Sequence, residues 1–306
     1  MQQYRIERIS RENLYQLQVL YRSVYSKNVP LESLTCKYTT HMFGVEWLGY
    51  LALTIDNEPA AFYGVIPCHF RIGPEIFLAA QSADTMTHPQ HRNRGLFIQL
   101  ATKTYDLARS EGVDFIFGFP NKNSYGGFVK LKWVFMETPL QVFVLKGSKL
   151  PLAIILSKIP ILKKFVYTRV KKNFDGISEE ANLSDLDGVT RDRIFFQYKN
   201  QYSKTFVEKK KGIFAWLKED GLLKVGLIRF DAFISPEAGL HFLVETAKKM
   251  GCHAIIFMTS YNTGIYNALI KLVSPINGLP IGFYNLTDRQ IDFKKATFEY
   301  CDIDIF

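Results

Sequence analysis

The sequence predicts a mixed α/β protein of two domains, each a mostly antiparallel sheet with helices on both faces. Three observations carry this reading. The chain has 306 residues, and domains run about 100–200 residues each. Strand and helix periodicities alternate along it. The second half repeats a pattern of the first at an offset of 139 positions. A hydrophobic fraction of 47% with 22% charged residues fits an ordered globular chain rather than a disordered or fibrous one.

Residues 11–25 place Leu14, Leu17, Leu20, Tyr21 and Val24 at helical spacing, with Ser10 as N-cap. Residues 49–55 and 60–72 read as strands, and Asp56 with Asn57 between them makes a hairpin. Residues 77–87 form the next strand, 95–111 a helix stopped by Gly112, 113–119 a buried strand and 124–131 a short helix. Residues 135–145 close the first domain as a strand. The expected division is therefore 1–145, a basic connector at 146–172, and 173–306.

In the second half Ala247, Gly251 and Asn262 stand where Ala108, Gly112 and Asn123 stand in the first. Ile255, Thr263, Ile270 and Lys271 likewise answer Ile116, Ser124, Leu131 and Lys132. The common pattern is helix, glycine stop, buried strand, Asn-Ser/Thr turn, second helix. An internal duplication accounts for it, and so does the hydrophobic periodicity that any two helix–strand–helix units share.

The formal charge of +9 is localised. Residues 145–172 hold eight Lys or Arg and no acid, which leaves +1 for the rest of the chain. A basic domain face for nucleic acid is thereby excluded. The apolar run in this segment is broken by Lys158 and Pro160 and falls well short of the ~20 residues that span a bilayer. It reads either as amphipathic helices bridging the domains with their Lys heads in water, or as an interfacial helix that touches anionic lipid through Lys158, Lys163 and Lys164. The first residues carry charges of both signs and no apolar core, so no leader is expected and the cytoplasm is the expected location. Cys36, Cys68, Cys252 and Cys301 lack metal or disulfide spacing and are expected as free thiols, with no metal.

The chemistry concentrates where strand 77–87 meets helix 95–111, through the sequence HPQHRNRG of residues 88–95. A phosphate cradle needs exposed backbone N–H groups at a helix N-terminus, a glycine that lets the ligand approach closely, and cations nearby. Gly95, Leu96 and Phe97 supply the first two, and Arg92 and Arg94 around Asn93 supply the third. The offset of 139 sets Asp231 to Ile234 opposite Arg92 to Gly95, with no glycine, no arginine and an added carboxylate. Only the first half has a cradle.

This segment resembles the signature of the GNAT (Gcn5-related N-acetyltransferase) superfamily, in which Arg or Gln, two residues, Gly, one residue, and Gly or Ala bind the pyrophosphate of acetyl-CoA. Arg92 and Gly95 match it, and Phe97 departs from it. The block GFPNKNSYGGFVKLKW, residues 118–133, is similar to the family's next conserved block through Asn121, Ser124, Phe128, Lys132 and Trp133. The resemblance implies backbone contacts from Met86 and Thr87 to pantetheine, a polar contact from Asn121, and packing of the helix carrying Ser124 and Phe128 against the coenzyme. It implies a Tyr at position 128 as general acid on the leaving thiolate. Phe128 has no proton to give; Tyr125, one turn earlier, is either its stand-in or an aromatic packing on the Gly-Gly turn.

An amine acceptor attacks only when neutral, so direct transfer calls for a base. Alternation puts Ser82, Asp84, Met86 and His88 on one strand face. Asp84 is the candidate base or, equally, a residue that orients a loop or binds the substrate ammonium. His88 and His91 flank the loop, where a cation contact or solvent exposure fits better than proton transfer. Overall the chain looks similar to tandem GNAT proteins, including Fem-type aminoacyl transferases and acetyltransferases of bacterial polysaccharide pathways. The implied reaction is transfer from acetyl-CoA to a primary amine, such as an amino sugar, in the groove between the domains. The alternatives are a non-catalytic CoA-binding pseudo-enzyme and a Fem-like aminoacyl transferase. No P-loop, dinucleotide-binding glycine pattern or nucleophile elbow occurs in the chain.

Overall fold

The computed structural model describes residues 3–149, 187–231, 233–261 and 263–306. These form two compact units. Residues 3–137, 187–202 and 280–296 contribute to the first, and residues 138–149, most of 203–279, and 297–306 to the second.

The first unit opens with β1 (Arg5–Arg8), α1 (Leu14–Tyr25), α2 (Leu31–Tyr38), β2 (Gly49–Leu53), β3 (Pro59–Ile72) and β4 (Glu75–Thr87). It continues with α3 (Leu96–Ser110), β5 (Phe115–Gly118), α4 (Tyr125–Lys130) and β6 (Val134–Phe135). The chain then enters the second unit as β7 (Gln141–Lys146) and later returns to the first for β8 (Gly188–Val189) and α5 (Arg193–Tyr202). The second unit resumes with β9 (Thr205–Lys210), β10 (Ile213–Glu219), β11 (Leu223–Phe230), α6 (Pro236–Met250), β12 (Ala254–Thr259), α7 (Gly264–Leu269) and β13 (Ile276–Asn277). β14 (Gly282–Asn285) belongs to the first unit again.

The first sheet runs β1-β2-β3-β4-β5-β14-β6, with β8 on β3, and the second runs β13-β7-β12-β11-β10-β9. Among the described residues, β4 with β5 is the one parallel pair of the first sheet and β11 with β12 that of the second. The period-2 alternation of a strand feeds two cores on opposite faces of the first sheet. Leu51, Leu53, Phe62 and Met86 pack with Leu14, Leu17, Leu34 and Tyr38 of α1 and α2. Ala61, Tyr63, Val65 and Ala80 pack with Leu100, Ala101 and Tyr105 of α3. The second unit has its own core, in which Leu240, Leu243 and Ala247 of α6 cover Val225, Ile255 and Phe257.

Set against the repeat, the two strand orders correspond term by term: β6 with β13, β14 with β7, β5 with β12, β4 with β11, β3 with β10, β2 with β9. Each half of the sequence thus places its last strand in the other half's sheet. The expected boundary at 145 differs from this arrangement. Residues 135–145 are not one strand closing the first domain, because the chain breaks between β6 and β7 at Pro139, which has no N–H to give a ladder. β7 then pairs with β12 and β13, while β14 fills the place beside β5.

Ser10 does not cap α1. Asn13 is the N-cap residue, and its Oδ1 accepts the Ser10 N–H at 2.8 Å. α2 was not expected, although Leu31, Leu34 and Tyr38 stand at helical spacing behind Pro30. Of the basic connector only residues 146–149 are described; there the Gly147 and Ser148 amides donate to the carbonyls of His253 and Cys252. The rest of 146–172, like Asn262 of the repeat, lies outside the described residues. Among the described residues no helix is long and apolar enough to cross a membrane.

Candidate active site

The fork between β4 and β5 organises the site. Their parallel pairing is confined to Ala79–Ala80–Gln81 against Phe115–Ile116–Phe117, so from Ser82 and Gly118 onward the strands diverge. β4 ends at Thr87, and residues 88–95 lead into α3. Asn93 and Gly95 both adopt left-handed backbone, at φ 60° and 75°, the kind of conformation from which anion-binding backbone concavities are built.

Gly95 is the N-cap of α3, and it provides no side-chain cap; nor is there an acid in the first turn. The first bond of the helix is Gln99 N–H to Gly95 carbonyl at 3.1 Å. The amides of Leu96, Phe97 and Ile98 therefore have no partner inside the helix, and the helix dipole adds to their attraction for an anion. Arg92 and Arg94 are exposed beside them. Arg94 is pre-oriented, donating to Tyr4 Oη at 3.0 Å and to the Gln90 carbonyl at 3.2 Å. His91 contacts the same Tyr4 hydroxyl at 2.9 Å. Burial, with the neighbouring His88 and Arg94, lowers its pKa and favours the neutral ring.

The equivalent end of the second unit is built differently. Phe230 ends β11 and α6 begins at Pro236, so the connection is residues 231–235 rather than the longer 88–95. Ser235 caps α6, its side chain accepting from the Ala238 amide, and Pro236 occupies the first turn. The fork there is also filled. Glu299 joins its two arms, with its carboxylate on Arg229 of β11 at 2.9 and 2.7 Å and its backbone bridged to Thr259 of β12. Phe306 covers Gly226, where a Cβ would stand 2.2 Å from its ring. The repeat pointed to the missing arginines and glycine, but not to the shorter loop or to residues 298–306 in the fork.

Asp84 occupies a different place from the one alternation predicts. The β3–β4 register shifts between Phe62 and Gly64, and Asp84 sits in the resulting bulge at φ 52°. The bulge turns Asp84 and Met86 to the α1/α2 face, while Ser82 stays on the α3 face beside Tyr63. The four residues expected on one face are thus divided between two. The Asp84 carboxylate takes the Lys37 ammonium on Oδ1 and the Tyr38 hydroxyl on Oδ2, each at 2.7 Å. Burial pushes this carboxyl up, but Lys37 and hydrogen bonds from Lys37, Tyr21 and Tyr38 outweigh it and hold the pKa below its ordinary value. A carboxylate held in this way is a weak proton acceptor. α5 packs on the same cluster, Tyr198 donating to the Lys37 carbonyl at 2.7 Å.

On the other side of the fork Asn121 and Ser124 shape the entry to α4. Asn121 Oδ1 accepts the amides of Asn123 and Ser124 at 2.9 and 3.2 Å, and Ser124 Oγ accepts the Asn121 amide at 3.1 Å. Phe128 is buried among Phe97, Tyr63 and Trp133. Phe97, the residue that departs from the small-residue pattern, has room because position 127 is Gly: a Cβ there would lie 2.5 Å from the Phe97 ring. Tyr125 is 40% exposed, its ring tilted against Phe135 at 4.8 Å, so its hydroxyl is the accessible phenol of α4. Met86 is buried in the α1/α2 core, and its contribution to a ligand is limited to backbone; Thr87 is half-buried and its carbonyl is 3.5 Å from Arg92 Nε.

The profile of the acetyltransferase (GNAT) domain family matches residues 41–131. That span holds β2 to β5, the loop 88–95, α3 and α4. No curated protein shows a match to the sequence. Among solved structures the chain is similar to a GCN5-related N-acetyltransferase from Kribbella flavida, with TM-score 0.58 and 13% identity over 93% of this chain and 72% of the other. A GCN5-related N-acetyltransferase from Anabaena variabilis gives TM-score 0.56 and 12% identity over 93% and 73%. Saccharomyces cerevisiae N-myristoyltransferase with bound myristoyl-CoA gives 0.59 and 10% over 92% and 82%. At such identities the likeness is one of fold, and it extends across both units.

Proposed function

We propose that this chain, a member of the GNAT superfamily carrying its acetyltransferase domain in residues 41–131, transfers the acyl group of an acyl-CoA, acetyl-CoA in the first place, directly to a primary amine. The observation that supports it best is the uncapped N-terminus of α3 at the mouth of an open fork, with Arg92 and Arg94 beside it. In this reading the pyrophosphate rests on the amides of Leu96, Phe97 and Ile98, and Arg92, Asn93 and Arg94 surround it. The pantetheine arm enters the fork along the backbone of Met86 and Thr87, covered by the turn that Asn121 and Ser124 hold and by α4. The neutral amine attacks the thioester carbonyl, the tetrahedral intermediate expels the thiolate, and the proton lost by nitrogen leaves through water. A Cys-like thiol of pKa about 8.5 is a weak base, so expulsion needs at most one proton donor; Tyr125 is the accessible one. Asp84 acts from behind, fixing the bulge rather than taking the proton. The second unit is a degenerate copy whose own fork holds residues 298–306. An amino sugar is the acceptor to test first.

A second reading, CoA binding without turnover, draws on two observations: the apolar Phe128 at the family's acid position and the ion pair that holds Asp84. Calorimetry with CoA and a turnover screen over amines separate the two. Wild-type protein is expected to bind CoA and to release it from acetyl-CoA faster when the right amine is present. Arg92→Glu should weaken CoA at least tenfold with unchanged melting temperature. Absence of CoA binding would sink both readings; tight binding with no turnover over a broad panel would leave the second.

A further inference from the structure

Fold alone does not set acyl length, since a protein of this fold holds myristoyl-CoA. Resting on the acyl-CoA reading above, we infer that the floor of the β4–β5 fork, made by Ser82, Gly118 and Trp133, limits the acyl group of this chain to two or three carbons.

The direction of the ligand follows from its anchor. With the pyrophosphate at Gly95, on the open end of the fork, the pantetheine arm points toward the closed end. Its two amide units make it comparable to a short extended peptide, and the stretch of β4 from Thr87 back to Ser82 spans about 17 Å at ~3.3 Å per residue. The thioester therefore arrives next to Ser82 and Gly118, the first residues of β4 and β5 that no longer pair with each other.

There is little room beyond them. A Cβ built on Gly118 would lie 3.2 Å from the Ser82 Cβ and 3.4 Å from two ring carbons of Trp133. Trp133 cannot easily swing aside: its indole N–H donates to Tyr105 Oη at 2.9 Å. Tyr105 Oη is 2.9 Å from Tyr63 Oη, and Ser82 Oγ donates to Tyr63 Oη at 2.9 Å. Tyr63, Tyr105 and Trp133 are all buried. Moving any one of them leaves a buried polar group without its partner, which is costly in an apolar core. Toward the opposite face β4 presents the Lys37–Asp84 ion pair, whose separation is costlier still. A long alkyl chain thus meets a hydrogen-bonded aromatic layer on one side and a buried charge pair on the other, and neither offers an apolar channel.

The test is calorimetry of full-length protein with CoA, acetyl-CoA, propionyl-CoA, butyryl-CoA and octanoyl-CoA, followed by turnover with any acceptor found. CoA, acetyl-CoA and propionyl-CoA should bind within a few-fold of one another, butyryl-CoA at least tenfold more weakly, and octanoyl-CoA more weakly again. Gly118→Ala, which narrows the floor, should widen the acetyl-to-propionyl ratio at least threefold. Trp133→Leu, if it melts cooperatively, should bring butyryl-CoA to within a few-fold of acetyl-CoA. Octanoyl-CoA binding as tightly as acetyl-CoA, or an unchanged ratio in Gly118→Ala, overturns the inference. CoA binding with no dependence on acyl length defeats it alone, whereas no CoA binding at all defeats the acyl-CoA reading beneath it.

Discussion

Asp84 and Lys37 illustrate how one residue's environment decides its chemistry. Their side chains are 7% and 11% exposed and 2.7 Å apart, so each neutralises a charge the core would otherwise reject. Removing one partner leaves the other buried and uncompensated, at a cost of about 3–5 kcal/mol, whereas replacing both by apolar residues of similar size is often neutral. Asp84→Asn and Lys37→Met are therefore each expected to lower unfolding free energy by several kcal/mol in urea titrations, and Asp84→Leu with Lys37→Met to recover most of it. The pH dependence has a definite sign. The folded pKa of Asp84 is depressed, so its contribution is present above the unfolded value near 4 and is lost as pH falls through the folded pKa. Melting temperature should drop more steeply below about pH 4 in wild type than in Asp84→Asn, and parallel acid profiles would contradict the assignment. Asp84 was legible as a site residue because it stands on the strand that runs into the loop 88–95. Its partner was not, because α2 is short and begins behind a proline.

At the scale of elements, the ends of α3 and of the equivalent helix α6 were readable from glycine. Gly95, Gly112 and Gly251 all sit at positive φ, where an L side chain is strained, so each marks a helix end within two residues. The bulge in β4 was not readable: alternation assigns faces only while the register is unbroken, and nothing in residues 82–87 announces the extra residue. The pairing of α3 with α4 is a middle case. Phe97 looked like a departure from a small-residue position, and Gly127 looked like part of a turn; together they are one contact in which the ring takes the volume that the glycine leaves. Gly127→Ala forces its methyl into the Phe97 ring and should cost about 1–3 kcal/mol by overpacking. In the background of Phe97→Ala the same change should cost less than half as much, because the obstructing ring is gone. A double-mutant cycle of urea midpoints measures this, and additivity within about 0.5 kcal/mol would show that the two side chains do not meet.

The molecule as a whole is organised by exchange rather than by succession. The shared pattern of the two halves was visible from Ala108, Gly112 and Ile116 against Ala247, Gly251 and Ile255, but hydrophobic periodicity says only that a segment is a strand, not which sheet receives it. β7 and β14 are both short and apolar, and each would have read equally well in its own half. The consequence is that neither half of the sequence contains a finished sheet. A fragment of residues 1–149 keeps β1 to β6 but lacks β14, which pairs Gly282, Phe283, Tyr284 and Asn285 with Gly118, Phe117, Ile116 and Phe115. It would leave β5 with a bare, apolar edge of the kind that pairs with other chains, and β7 without a sheet. We expect this fragment to aggregate, or to show fast hydrogen exchange at β5 amides that are protected in the full chain. A soluble, monomeric fragment with protected β5 amides would refute the dependence. The same architecture bears on ligand number. β4 and β5 part after Gln81 and Phe117, whereas the other fork holds residues 298–306, with Glu299 salt-bridged to Arg229 of β11 and its backbone bridged to Thr259 of β12. Titration of the full chain with CoA should therefore saturate at one molecule per chain. Glu299→Ala should not create a second site, because the loop stays short, Ser235 already takes the Ala238 amide and Pro236 has no N–H to offer a phosphate; a stoichiometry of two in either protein would show that the second fork opens.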